Sequence, residues 1–235
     1  MITSVFYRQL DSTKLEYERI RANGSPEDRW IIRTGEQTRG QGRGENTWHS
    51  PAGGLWLSFD LPYPRPVASF PLYVGFCLIR LLNRLYGLSS LRLKWPNDIF
   101  LEGRKLAGIL CAHLQNPSRY LVSLGMNTGV GRDDVLHELD AAILSEYIGL
   151  PVSNQYLAQL FIHNLQRNAG LLDSPETYIS WCAENLYGLG RQAEADCGDM
   201  IIRGRIEGLS DAGFLLLKGK MGKLASISHG SLRIL

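Results

Sequence analysis

Lys94-Trp95-Pro96-Asn97-Asp98, followed by Arg104-Lys105-Leu106-Ala107-Gly108-Ile109-Leu110, lies in the region whose reading decides the fold. Residues 91–94, 98–101, 104–115 and 120–127 read as four strands, and Glu102-Gly103 marks a tight hairpin turn. Upstream, residues 5–10, 29–34 and 55–61 read as further strands. Asp11-Ser12-Thr13 opens a helix that stops near Gly24, with Thr13 and Glu16 at the spacing of a capping box. A largely apolar helix runs over 70–86, and three- and four-residue periodicity predicts helices over 141–149, 155–171 and 175–186. Strands precede helices instead of alternating strictly with them, so the fold class is α+β, a mixed sheet packed with helices. After Gly188-Leu189-Gly190, short apolar runs separated by turns predict a small β-barrel. The domains expected are therefore 1–188 and 189–235, the second too small to be very stable alone.

Composition narrows the function classes. The chain has 235 residues and is 44% hydrophobic, enough for a core of ordinary size. Its 25 Lys and Arg against 23 Asp and Glu leave a net charge of +2, so any nucleotide site must be local. The first ten residues lack a charged leader followed by an apolar run, and residues 67–79, broken by Ser69 and Pro71, fall short of the roughly 20 apolar residues that cross a bilayer. Cys77, Cys111, Cys182 and Cys197 have no metal-site spacing and read as reduced thiols in the cytoplasm. His49, His113, His137, His163 and His229 show no clustering.

Two regions could carry chemistry. Residues 35–54 hold six glycines, and within them Gln37-Thr38-Arg39-Gly40-Gln41-Gly42-Arg43-Gly44-Glu45-Asn46-Thr47-Trp48 offers close backbone approach to an anion beside Arg39 and Arg43. The loop is neither a Walker sequence nor a dinucleotide fingerprint. Residues 80–105 carry six basic side chains (80, 84, 92, 94, 104, 105) against two acidic ones (98, 102), a balance of +4 that favours a polyphosphate and tolerates Mg²⁺ at Asp98. Gly108, beside Lys105 on one strand, could let a ligand reach the sheet surface.

Taken together, Asp11-Ser12-Thr13, the glycine loop with Trp48 and Ser50-Pro51, Lys94-Trp95-Pro96-Asn97-Asp98, Lys105-Leu106-Ala107-Gly108-Ile109 and Gly125-Met126-Asn127 resemble the biotin protein ligase family in order and spacing. The pentapeptide is the most specific element, and the glycine pattern of the last 45 or so residues is similar to that family's SH3-like C-terminal domain. The resemblance implies a cytoplasmic enzyme. It would adenylate biotin with ATP and Mg²⁺, release pyrophosphate, and pass the biotinyl group from biotinyl-5'-AMP to one lysine of a carboxylase's biotin carboxyl carrier domain.

The same resemblance assigns residues. Ser12, Thr13, Gln37, Gly40, Gln41, Gly108 and Ile109 fall where biotin is held. Arg43 and Lys105 match the cations at the phosphates and the reacting carboxyl. Trp48, Lys94, Asn97 and Asn127 fall at the adenylate, with Trp48 against adenine. Asp98 is the candidate for a Mg²⁺ ligand or for assisting the attacking lysine, while Trp95 and Pro96 are packing residues. Lys14, Gln41 and Glu45 depart from the family pattern and make the loop less basic, implying a leakier hold on the intermediate. A DNA-binding repressor would need about 60 residues ahead of the Asp11-Ser12-Thr13 motif, so DNA is not an expected partner, and neither is a membrane. A lipoate or octanoate ligase and a binding protein without transfer activity are the competing readings. A homodimer through an exposed sheet edge is left open by the sequence.

Overall fold

The computed structural model describes residues 2–25, 27–129 and 134–235. In chain order its elements are β1 (Ile2–Tyr7), α1 (Thr13–Asn23), β2 (Arg29–Thr34), β3 (Leu55–Pro62), α2 (Phe70–Tyr86), β4 (Leu91–Lys94), β5 (Asp98–Leu101), β6 (Arg104–Leu114), β7 (Arg119–Met126), α3 (Asp134–Glu138), α4 (Leu144–Ile148), α5 (Asn154–Arg167), a 3₁₀ turn (Ala169–Leu172), α6 (Glu176–Glu184), β8 (Gln192–Asp196), β9 (Ile201–Leu209), β10 (Leu215–Lys218), β11 (Leu224–Ile227) and β12 (Ser231–Ile234). Two compact units result: Met1–Pro66 with Arg104–His163, and Val67–Gly103 with Asn164–Leu235.

The first unit holds strands in the order β1-β2-β3-β7-β6. β1 and β2 pair in parallel, whereas β2–β3, β3–β7 and β7–β6 pair antiparallel, so the sheet is mixed. β3 is buried along nearly its whole length, as its apolar run requires of a central strand. Tyr17 of α1 packs with Ile32 and Leu121 to cover the sheet. The strand expected over 5–10 begins earlier, because parallel pairing with β2 runs from Ile2 opposite Arg29 to Tyr7 opposite Thr34.

The helix expected after Ser12 forms, but not with a capping box. Ser12 is the N-cap without a side-chain bond, and the first free helical N–H, that of Thr13, is taken by the Gln37 side chain at 2.9 Å. The Glu16 carboxylate turns instead to Tyr7 and Arg19. A distant amide thus satisfies a group that local spacing had assigned to a neighbour.

In the second unit α2 buries Phe70, Tyr73, Val74, Phe76 and Leu78 among others, and Phe76 meets Trp181 of α6 edge-on at 5.2 Å. β4 and β5 form an antiparallel hairpin that pairs Lys94 with Asp98. Trp95 is buried and donates to the Gly213 carbonyl at 3.2 Å, which gives the packing role expected of it. Glu102 and Gly103 both take positive φ, 50° and 82°, as the tight turn predicted. The C-terminal strands form a five-stranded antiparallel sheet in the order β11-β10-β9-β8-β12, consistent with the SH3-like expectation. The three predicted C-terminal helices appear as α4, which covers only the middle of its periodic stretch, α5 with its 3₁₀ extension, which together span theirs, and α6, slightly shorter than its own. α3 had no counterpart in the sequence reading, and the side chain of His137 within it lies outside the described residues.

Candidate active site

The glycine-rich segment is a loop anchored at both ends. The Gly40 carbonyl accepts the Trp48 N–H at 2.9 Å, and Gln37 N–H donates to the Ser50 carbonyl at 3.0 Å, so residues 40–48 are held at their base like a hairpin tip. Gly40 has to be glycine. A Cβ there would strike the Trp48 carbonyl and come within 2.6 Å of Ser50 Oγ. Gln41 and Glu45 are exposed on this loop, and Arg43 is half-buried with its carbonyl accepting from Asn46.

Behind the loop base, Thr13 and Gln37 are joined. Gln37 Oε1 accepts the Thr13 N–H at 2.9 Å and the Thr13 hydroxyl at 3.2 Å, and its Nε2 donates to Ser50 Oγ at 2.8 Å. Ser12, one residue before, is buried, and its N–H donates to Asp11. Asp11 is in turn paired with Arg19, which holds its carboxyl below the usual carboxylate range.

Trp48 lies on the sheet. Gly108 and Gly125 stand directly opposite one another on β6 and β7, and a Cβ on either would come within 2.8 Å or 2.5 Å of the indole. The sheet surface that Gly108 leaves bare is therefore covered by the chain's own tryptophan, which is backed by Trp56, Leu136 and Ile143. Lys105 Nζ lies 4.8 Å from the ring centroid, a cation–π distance. Ile109 follows Gly108 in the strand and is buried, and strand alternation sends its side chain to the opposite face.

Two buried polar atoms here lack a hydrogen-bond partner: Trp48 Nε1, a donor, and Asn127 Oδ1, an acceptor. Asn127 is 2% exposed and its backbone bonds Leu106 and Leu144, so only its side chain is left to face a ligand. A buried orphan costs roughly 1–3 kcal/mol, a cost that a nucleotide carrying both donors and acceptors would relieve.

Ser12, Thr13, Gln37, Gly40, Gln41, Arg43, Trp48, Lys105, Gly108, Ile109 and Asn127 all belong to the first unit, where Thr13 meets Gln37, and Trp48 meets Gly40, Lys105 and Gly108. Lys94, Asn97 and Asp98 belong to the second unit, where Asn97 is buried in the β4–β5 turn and Lys94 Nζ lies 5.3 Å from the Phe100 ring. Ser58 and Ser123, which bond into the Thr13–Gln37 pair, were missed by sequence reading. The available signal was a serine inside each of two apolar strands, at positions that pair across β3 and β7.

Comparison with known proteins follows the same lines. Over 228 residues the chain is 25% identical to the bifunctional ligase/repressor BirA of Bacillus spizizenii, spanning 93% of this chain and 70% of that protein. It is 27% identical over 242 residues to the biotin–[acetyl-CoA-carboxylase] ligase of Paracoccus denitrificans, spanning 91% of this chain and 93% of the relative. Its fold matches the biotin protein ligase of Aquifex aeolicus solved with biotin and ATP, with a TM-score of 0.85 at 24% identity and 99% of both chains covered. The model of the biotin/lipoate A/B protein ligase family matches residues 5–128, more than half of the chain, and the chain belongs to that family.

Proposed function

We propose that this protein is a biotin protein ligase that joins biotin to a lysine of a biotin carboxyl carrier domain at the expense of ATP. The observation that carries the reading is the glycine loop, which bears a neutral recognition amide (Gln37) bonded to Thr13 at its base, and a cation (Arg43) and an aromatic plate (Trp48) further along. A neutral polar pair suits a urea, which both donates and accepts, and a cation suits the triphosphate.

In the first step a carboxylate oxygen of biotin attacks the α-phosphorus of ATP, the bond to the bridging oxygen breaks, and pyrophosphate leaves. The ε-amine of the carrier lysine then attacks the acyl carbon of biotinyl-5'-AMP, the C–O bond breaks, and AMP departs. The obstacle in the first step is repulsion between carboxylate and triphosphate. Arg43 and Lys105 lower it by holding positive charge where the new charge develops. Trp48 stacks with adenine, and Asn127 Oδ1 accepts from the nucleotide. Ser12, Thr13, Gln37, Gly40, Gln41 and Gly108 bind biotin, and Ile109 contributes through its backbone, its side chain being on the other face of the sheet. Lys94 and Asn97 act at the adenylate.

Mg²⁺ supplies charge neutralisation on the phosphates when bound. Asp98 is a single carboxylate, and among the described residues no group of three or more His, Cys, Asp and Glu could hold a metal by itself. That donor set fits an ion carried in by the triphosphate, which needs one or two protein carboxylates. Asp98 alternatively takes the proton of the attacking lysine.

The proposal extends to the domains, 1–188 catalytic and 189–235 SH3-like, and to a cytoplasmic location. Four unpaired cysteines and the demand for ATP support that location, and among the described residues no helix is long and apolar enough to cross a membrane. Two copies pair through an exposed sheet edge such as β1, where Ile2 and Phe6 are exposed, and sedimentation tests this point.

The main test is intact-mass analysis of a carrier domain incubated with the protein, MgATP and biotin, with lipoate and octanoate in parallel. A biotin-sized increase on one lysine, absent with the other acids, is expected. Modification by lipoate or octanoate instead would overturn the reading.

A further inference from the structure

A line of side-chain hydrogen bonds runs through the first unit from the loop to the core of the sheet. The Trp48 carbonyl accepts the Ser50 hydroxyl at 3.1 Å, Ser50 Oγ accepts Gln37 Nε2 at 2.8 Å, and Gln37 Oε1 accepts from Thr13. Thr13 Oγ1 accepts the Ser58 hydroxyl at 2.9 Å, and Ser58 lies 2.8 Å from Ser123 Oγ. Ser50, Thr13, Ser58 and Ser123 are all buried.

Two members have fixed polarity, and they orient the rest. A carbonyl only accepts, so Ser50 donates to Trp48 and must accept from Gln37. A backbone N–H only donates, so Gln37 turns its oxygen to Thr13 and its nitrogen to Ser50. The single proton of Thr13 then goes to Gln37 and that of Ser58 to Thr13, which leaves Ser123 to donate to Ser58. Every bond points the same way, an arrangement in which each bond polarises the next.

The direction determines what the Thr13–Gln37 pair still offers. Gln37 Oε1 already accepts twice, and one lone pair of Thr13 Oγ1 is taken by Ser58. One lone pair on Thr13 and one N–H on Gln37 remain. A ligand edge that fits must present an N–H beside an acceptor oxygen, as a urea does; an alkyl chain or a dithiolane presents neither.

We infer that Ser50, Ser58 and Ser123 are positioning residues for acid recognition: they hold this one-way line and so leave Thr13 with an acceptor and Gln37 with a donor toward the ligand. The inference rests on the reading of Thr13 and Gln37 as the biotin-holding pair.

The test is biotin-dependent ATP–pyrophosphate exchange by the full-length protein, with octanoate as a second acid. Ser50→Ala and Ser58→Ala are expected to raise the KM for biotin about tenfold, the equivalent of ~1.4 kcal/mol. Selectivity for biotin over octanoate falls by a similar factor. The KM for ATP and kcat stay within about twofold, and Ser58→Thr, which keeps the hydroxyl, restores the wild-type values. Ser50, at the loop base, gives the same readout if replacement of Ser58 or Ser123 prevents folding. Folded variants with unchanged biotin KM and selectivity overturn the inference alone, and so does a proportional loss of kcat and both KM values. Wild-type protein without biotin-dependent exchange overturns the ligase reading and the inference with it.

Discussion

The Lys105 ammonium stands 4.8 Å from the centre of the Trp48 ring. One residue proposed to hold reacting oxygens is thereby attached to another proposed to hold adenine, before any substrate arrives. The arrangement keeps the cation near the sheet surface, and cation–π attraction at a half-buried site contributes about 0.5–1 kcal/mol, small enough for a substrate to replace.

Lys105→Ala should lower biotin-dependent pyrophosphate exchange by about 10²–10³-fold, the usual effect of removing one charge-stabilising donor. Lys105 is only partly buried, so thermal stability should change little. Ligation at the wild-type rate would remove this lysine from the mechanism.

Gly108→Ala places a methyl within 2.8 Å of the Trp48 ring, and the tryptophan must move. The expected cost is about 1–3 kcal/mol of overpacking. It should be accompanied by a changed tryptophan emission spectrum and weaker ATP binding by calorimetry. An unaltered spectrum together with unaltered ATP affinity would show that the indole does not need this glycine.

Gln41 is exposed on the loop in a position where the family resemblance implies a basic residue. Gln41→Arg should slow dissociation of biotinyl-5'-AMP by roughly 10- to 150-fold, the worth of one charge-assisted bond at about 1.5–3 kcal/mol. Release of radiolabelled intermediate in a chase experiment measures it directly.

Asp60 is the acceptor for Arg29 at 3.0 Å, Arg119 at 3.2 Å and the Trp30 N–H at 3.1 Å, and its carboxylate is almost wholly buried. Asp60→Ala leaves a buried guanidinium without this partner and should cost about 3–5 kcal/mol of stability in urea titration. A loss below 1 kcal/mol would mean that the site relaxes or hydrates.

Burial pushes the Cys77 thiol and the Tyr17 phenol up to about 12, and the Cys182 thiol and the Tyr73 phenol are raised by the same cause. Each raised group is more readily ionised in the unfolded chain. Its contribution is therefore complete below the unfolded pKa, about 8.5 for Cys and 10 for Tyr, and is lost as pH climbs toward the folded value. The urea midpoint should be level from pH 7 to about 8.5 and fall steadily above it. A midpoint at pH 10.5 equal to that at pH 7 would contradict these environments.

Local pattern determined most of the elements. The apolar run of β3, the helix over Phe70–Tyr86, the Glu102-Gly103 turn and the strand-rich C-terminus are each written in a few neighbouring residues, because periodicity and turn chemistry are local properties. The candidate site residues were named from the resemblance of five ordered motifs to one family, since neither the glycine loop nor the lysines alone point to one chemistry. What the residues do to one another was not legible. Thr13 looked like a helix cap and Gln37 like a loop residue, yet 24 positions apart they are bonded to each other, and Ser58 and Ser123 join them from two strands. Gly108 looked like open access for a ligand, and Trp48 lies there. Hydrogen bonds and close packing depend on atoms brought together by chain pairing, such as Gly108 opposite Gly125, and no window of sequence contains both partners. The sequence alone determined which groups are present and which elements carry them; the tertiary structure decided which protons and which surfaces remain for a ligand, because a hydrogen bond made inside the fold is no longer available outside it.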